Sequence, residues 1–136
     1  MKSIVVFISM CLYISIGMMA CKSSSNSCAN TMCTADFRMI TVTLKDSVGN
    51  DYIPDKVETY YNGTLIHQDS ISSVPMQNVY TIIDDNNLQS LQLNLNRDVT
   101  FKIIKNGLVK KQQGYVVKAD CCHVSKVSGL DTIIVQ

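Results

Sequence analysis

Hydrophobic and polar positions alternate along much of this chain, and the alternation predicts strands. From Phe37 to Asp46, "FRMITVTLKD" sets Ile40, Val42 and Leu44 on one face and Thr41, Thr43 and Lys45 on the other, as in a half-buried strand. "SVGND" turns the chain at Gly49. "KVETYY" and "TLIHQD" flank Asn62-Gly63, the preferred type I′ hairpin pair, because both turn positions need positive φ. A two-residue loop then sets Tyr61 opposite Thr64, Tyr60 opposite Leu65, Glu58 opposite His67 and Lys56 opposite Asp69. Val57, Thr59, Tyr61 and Ile66 share one face, and the charged and polar pairs make a solvated second face. "SSVPMQN" reads as a loop and "VYTII" as a short strand stopped by "DDNN". "LQSLQLNLN" alternates strictly, with Leu91, Leu93 and Leu95 against Gln92, Asn94 and Asn96, and predicts a further strand. "VTFKIIK" and "LVKKQQ" flank a second Asn-Gly turn at Asn106-Gly107, and "GYVVKAD" and "DTIIVQ" supply the last two strands. Evenly spaced short strands with turn signals and no helical stretch predict an all-β domain, a single seven- to eight-stranded antiparallel Greek-key sandwich.

The first twenty residues follow a different pattern. Lys2 precedes an uncharged, mostly apolar run from Ile4 to Ala20, which ends at Cys21 and passes into the polar "KSSSNS". A short positive start, an apolar centre and a small residue before the cut are the layout of a secretory signal. The run is short for a stable membrane span, which takes roughly 20 apolar residues. Ala20 and Cys21 resemble the bacterial lipoprotein signal, although Met18 stands where that family usually has Leu and Met19 where it has a small residue. The resemblance implies cleavage before Cys21 and acylation of that cysteine, with no retention aspartate at Lys22 and hence an outer-membrane address in the cell envelope. Stable anchoring takes more than one acyl chain, and an acylated Cys21 would supply them. The expected organisation is a lipoprotein signal peptide with its helix at 1–20, a flexible tether at 21–33 and a β-sandwich domain at 34–136.

Composition supports this division. Without the signal, about 116 residues remain, enough for one core. Lys2 is the only charge in the signal, so 11 basic side chains face 11 acidic ones in the rest of the chain. That balance argues against a nucleic-acid partner, which calls for a basic excess. Thr, Val, Ile, Tyr, Asn and Ser dominate and Glu58 is the only glutamate, which favours strands over helices.

The stretch "TVTLKDSVGNDYIPDKVETYYNG" resembles the opening of carboxypeptidase-regulatory-like and transthyretin-like domains. Asp46, Gly49, Pro54 and Val57 stand at the strand end, turn and second strand of that pattern, over about the first third of the domain. The resemblance implies an Ig-like or transthyretin-like sandwich of the kind found as non-catalytic modules in bacterial envelope lipoproteins.

Cysteines carry the chemistry. Cys11 leaves with the signal and Cys21 is assigned to lipid, which leaves Cys28, Cys33, Cys121 and Cys122. An even number in an exported domain predicts disulfides, with three possible connectivities. The expected pairing joins the N-terminal pair to the C-terminal pair, because the chain ends of such sandwiches lie close. Strand parity slightly prefers Cys33–Cys122 over Cys33–Cys121, and a Cys121–Cys122 bridge would close a strained ring. A zinc site from Cys28, Cys33, Cys122 and His123 is the competing reading, with Cys33, Cys122 and His123 as its centre, but adjacent cysteines on a strand point to opposite faces. A Cys121 or Cys122 nucleophile with His123 as base would need an orienting group, for which only Asp120 is near in sequence.

Other motifs take simpler explanations. Asp84–Asn87 lacks the spacing of a calcium loop and reads as a turn. The sequon at Asn62 is explained by the hairpin. Lys102, Lys105, Lys110 and Lys111 around the second hairpin read as edge-strand protection rather than an anion site. No paired-carboxylate motif, nucleophile elbow or phosphate loop is present, and no cofactor is expected. The sequence thus predicts a non-catalytic envelope lipoprotein whose partners are the membrane, through its lipid, and an envelope protein or glycan. The alternative is an extracytoplasmic metal-binding or thiol-redox protein built on the Cys/His cluster.

Overall fold

The computed structural model describes Cys28, residues 30–70 and residues 78–136. The signal expected at 1–20, Cys21, most of the tether and most of "SSVPMQN" lie outside the described residues. The described chain is all-β, with two sheets and one short 3₁₀ helix. Eight strands follow in order: β1 (Met39–Asp46), β2 (Lys56–Tyr61), β3 (Thr64–Ser70), β4 (Val79–Asp84), β5 (Asn96–Lys105), β6 (Leu108–Ala119), β7 (Val124–Ser128) and β8 (Thr132–Val135). The smaller sheet has the order β4-β1-β8 and the larger β3-β2-β5-β6-β7. Among the described residues, no helix is long and apolar enough to cross a membrane.

The inner faces are the ones the alternation marks. Ile40, Val42 and Leu44 of β1 meet Val57 and Thr59 of β2, Val99, Phe101 and Ile103 of β5, and Tyr115, Val117 and Ala119 of β6. Ile82 and Ile83 of β4 and Ile133 and Val135 of β8 complete the core. Each fully buried Val, Leu, Ile or Phe contributes about 1.5–3 kcal/mol relative to exposure, so these faces hold the sheets together. Thr59 is the buried polar exception. Its hydroxyl donates to the carbonyl of Ile82, so it also pins the two sheets to each other.

Both Asn-Gly pairs form the expected turns. Asn62 and Gly63 have φ of 49° and 79°, and Asn106 and Gly107 have 54° and 72°. Four expectations need correction. The β2–β3 register holds only for Tyr61–Thr64 and Tyr60–Leu65; a bulge then shifts it, so Glu58 faces Gln68 and Lys56 faces Ser70. The stretch "LQSLQLNLN" is not a strand. Asp84 caps the 3₁₀ helix Asp85–Ser90, and Asn94 sits in the left-handed region at φ 60° with its N–H donated to the Ala119 carbonyl. Local capping and a left-handed residue override the alternation there. "LVKKQQ" and "GYVVKAD" belong to one long strand, β6, and a short strand, β7, follows it unannounced. Finally, β8 runs parallel to β1, so the sandwich is not wholly antiparallel.

The strands also give the domain two distinct ends. The start of β1, the ends of β4 and β6 and the starts of β5 and β7 meet at one end, with the Asn62-Gly63 turn. The Gly49 turn, the Asn106-Gly107 turn and the end of β8 lie at the other.

The return from β7 to β8 depends on Gly129. Its φ is 132°, and a Cβ added there would overlap the Tyr115 ring. That ring lies edge-on to Phe101, and its hydroxyl donates to the Leu130 carbonyl at 2.8 Å. Burial first, and then the charge of Asp131, push the Tyr115 phenol up to about 12. At Gly63, by contrast, an added Cβ meets nothing within 4 Å. Gly63→Ala should therefore cost only the strain of positive φ, of order 1–3 kcal/mol. Gly129→Ala adds displacement of a fully buried ring and should lower the thermal midpoint clearly more. Equal midpoints for the two variants in a calorimetric melt would contradict this packing.

Candidate functional site

The chemistry-bearing residues gather at one corner of the sandwich. Three segments meet there: the approach to β1 from Cys28 to Arg38, the β4 exit around Asp85, and the β6–β7 corner from Asp120 to His123. Cys28 is bonded to Cys121 and Cys33 to Cys122, with Cα–Cα separations of 5.4 and 5.3 Å. The N-terminal pair therefore joins the C-terminal pair, and the adjacent cysteines each take a separate partner. What meets the N-terminal segment is the β6–β7 corner. The end of β8 lies at the opposite end of the domain.

The corner is closed by its own carboxylate. Asp120 Oδ1 accepts the N–H groups of Cys122 at 2.8 Å and His123 at 2.7 Å, and its own N–H donates to the His123 carbonyl at 3.0 Å. The bonds from Cys122 and His123 hold the Asp120 carboxyl below its ordinary range. Such local side-chain-to-backbone bonding is why Asp is favoured in tight turns.

His123 is 9 % exposed and has a partner at each ring nitrogen. Nδ1 lies 2.8 Å from Asp85 Oδ2, and Nε2 lies 3.0 Å from the Thr34 hydroxyl. Asp85 Oδ2 also accepts the N–H of Arg38 at 2.8 Å, and Oδ1 accepts that of Val124 at 2.8 Å. Burial raises the Asp85 carboxyl, but the bonds from His123, Arg38 and Val124 outweigh burial and hold it below its ordinary value. An ionised carboxylate only accepts, so Nδ1 is the donor of that pair. Beside this line lies an open cleft of about 380 Å³, whose walls include Thr34, Arg38, Asn94 and Asp120. A second hollow of about 870 Å³ separates the Cys28–Cys121 bond from Leu88, Leu91 and Leu93.

Hydroxyl, imidazole and carboxylate in line have the proton connectivity of a nucleophile, base and orienting group. Acyl transfer also needs donors aimed at a developing oxyanion. The three successive N–H groups nearest the line, those of Cys122, His123 and Val124, are all donated to Asp120 or Asp85. Asp120 adds a negative charge to the cleft wall, where an oxyanion would be repelled. The arrangement serves best as a lock that fastens three segments.

The remaining candidates fall into place individually. Two of the three donors of the alternative metal set, Cys33 and Cys122, are consumed in one bond, so Cys33, Cys122 and His123 cannot ligate together. Asp84 accepts the Asn86 N–H at 2.9 Å, Asn87 accepts that of Asp84 at 3.2 Å, and Asn87 donates to the Ile66 carbonyl at 2.7 Å. "DDNN" is thus a helix cap, with Asp85 facing the corner. Of the four lysines, Lys102 lies 4.2 Å from the Tyr60 ring centroid and Lys105 donates to the Ile53 carbonyl at 2.8 Å. They stabilise the sheet face and hairpin base separately. On the same outer face Lys56 and the Tyr60 hydroxyl bond Glu58, and the Lys56 bond is the main cause that lowers its carboxyl. Asp85 and Thr34 are the partners the sequence did not reveal. They stand 38 and 89 residues from His123, and although Asp85 lies in "DDNN", nothing local in either segment points to His123.

Two predictions follow from the lock. Each disulfide alone closes a loop of about 90 residues, worth roughly 4–5 kcal/mol in chain entropy, while a second bond beside it closes only a small ring worth about 2–3. Replacing Cys28 and Cys121 by Ser, or Cys33 and Cys122, should therefore cost about 2–3 kcal/mol, and replacing all four about 7. Additive losses in denaturant titration would refute this. Asp85, with its lowered folded pKa, contributes stability that is fully present above the ordinary carboxylate value of about 4 and is lost as pH falls through the lower folded value. Asp85→Asn should be less stable at pH 7 by about 1.5–3 kcal/mol and should lose less on acidification to pH 2 than the native protein. Parallel acid profiles in thermal melts would remove Asp85 from this role.

No protein-family model, no curated protein and no solved structure matches the chain, so the reading of this corner rests on its own geometry.

Proposed function

We propose that this is a cell-envelope lipoprotein, cut from its signal before Cys21 and held by lipid on that cysteine at the outer membrane, as the signal it resembles implies. Its Greek-key, transthyretin-like sandwich is a non-catalytic binding or structural module, with an envelope protein or glycan as partner and no cofactor. The observation that carries this reading is the pair of disulfides just beyond Cys21. Such bonds persist in oxidising compartments, which an exported chain reaches. The balanced side-chain charge gives no support to nucleic acid as a partner. The bonded cysteines and the spent N–H donors favour a module over a thiol-redox or acyl-transfer centre.

Expression in a lipoprotein-competent host tests it. The native chain should partition into detergent, and its N-terminal peptide should carry acyl mass on Cys21. Cys21→Ser should release the protein to the aqueous phase or leave the precursor uncut. An unmodified mature N-terminus would refute the anchor.

A further inference from the structure

We propose that the Cys28–Cys121 bond decides which end of the sandwich meets the bilayer. The disulfide corner rests on the lipid surface through Met32, Phe37 and Arg38, and the Asn106-Gly107 end is held away from it. This rests on the reading of Cys21 as the lipid-bearing residue.

Chain length makes the case. Cys21 and Cys28 are seven residues apart, and even a fully extended chain spans only about 3.5 Å per residue. The corner that holds Cys28 is therefore within about 25 Å of the acylated residue. The domain is longer than that. β6 alone runs twelve residues from the Asn106-Gly107 turn to the corner, roughly 35–40 Å at strand rise. Turning the domain head-down would lift the corner by that length, beyond what the tether allows. Only placements that keep the corner near the surface fit, and corner-down is the one proposed.

Without either disulfide the first fixed point is the start of β1 at Met39, eighteen residues from Cys21, a reach of about 60 Å. Inversion would then be open. With only Cys33–Cys122 remaining, twelve residues reach about 40 Å, just enough. The outer of the two bonds is thus the one that forbids the inverted pose.

Surface chemistry alone does not choose an end. Met32 is 97 % and Phe37 53 % exposed at the corner, while Leu108 is 62 % and Val109 54 % exposed at the far turn. Apolar side chains and a cation at either end suit a lipid surface weakly. A short tether makes the contact intramolecular at one end and raises its effective concentration there. The far turn, with Leu108, Val109, Lys110 and Lys111, is left facing outward.

The test uses the full chain from a lipoprotein-competent host, in vesicles of phosphatidylethanolamine and phosphatidylglycerol with a photoactivatable phospholipid. Labelled peptides are mapped by mass spectrometry, and the N-terminal peptide of the same sample reports acylation of Cys21. The peptide with Met32 and Phe37 should be labelled about tenfold more than that with Leu108 and Val109. Replacing Cys28 and Cys121 together by Ser should bring that ratio toward one, with Cys33–Cys122 keeping the fold. Acylated Cys21 with labelling at the far turn, or with a ratio that the double variant leaves unchanged, overturns this inference alone. An unmodified Cys21 overturns the anchor reading as well.

Discussion

The structure depends on one closure, the fastening of the β6–β7 corner to the segment that leads into β1. Two sheets that pack through apolar faces are free to slide and splay at their ends, because burial is non-directional. At this end the freedom is removed three times over. Two disulfides span 93 and 89 residues of sequence, and Asp85 binds backbone from both the approach to β1, at Arg38, and the start of β7, at Val124, while holding His123. The covalent bonds set which segments meet. The carboxylate sets how they are oriented.

This division of labour explains how His123 is buried with a partner at each ring nitrogen. A half-satisfied buried imidazole is costly, because each unpaired polar group bears its full desolvation penalty. Thr34 and Asp85 satisfy both nitrogens, and Thr34 is delivered by the disulfide next to it in sequence, Cys33–Cys122. The same adjacency that made "CCH" look like a reactive cluster makes it a compact fastening.

What the sequence disclosed was local. The two Asn-Gly turns were legible because few residues accept positive φ, and β1 because its three inward side chains alternate without interruption. The β2–β3 register was legible for two pairs, up to a bulge that no turn rule encodes. β7 was not legible, since Val124 is its only buried residue and Ser125 to Ser128 face solvent. Nor was the parallel seat of β8 beside β1, which is decided by the inter-sheet crossing at Gly129 rather than by pattern. At the corner, cysteine spacing pointed to the right segments. Asp85 was hidden because its role depends on the 3₁₀ helix that Asp84 caps, a local structure that the strict alternation after it obscured.

The placement of the cysteines also bears on the order in which the chain is made. Synthesis runs from the N-terminus, so Cys28 and Cys33 emerge first and have no native partner until residue 121 follows. No cysteine lies between residues 34 and 120. Until then the thiols of Cys28 and Cys33 can mispair only with each other, with Cys11 or Cys21 upstream, or with another chain. Their correct partners arrive together, in adjacent positions, after β1 to β6 have been delivered. The closure that holds the native sandwich is thereby a checkpoint on its completion: a truncated chain that stops at Ala119, the end of β6, has every residue of both Asn-Gly hairpins and neither cysteine to fasten them with.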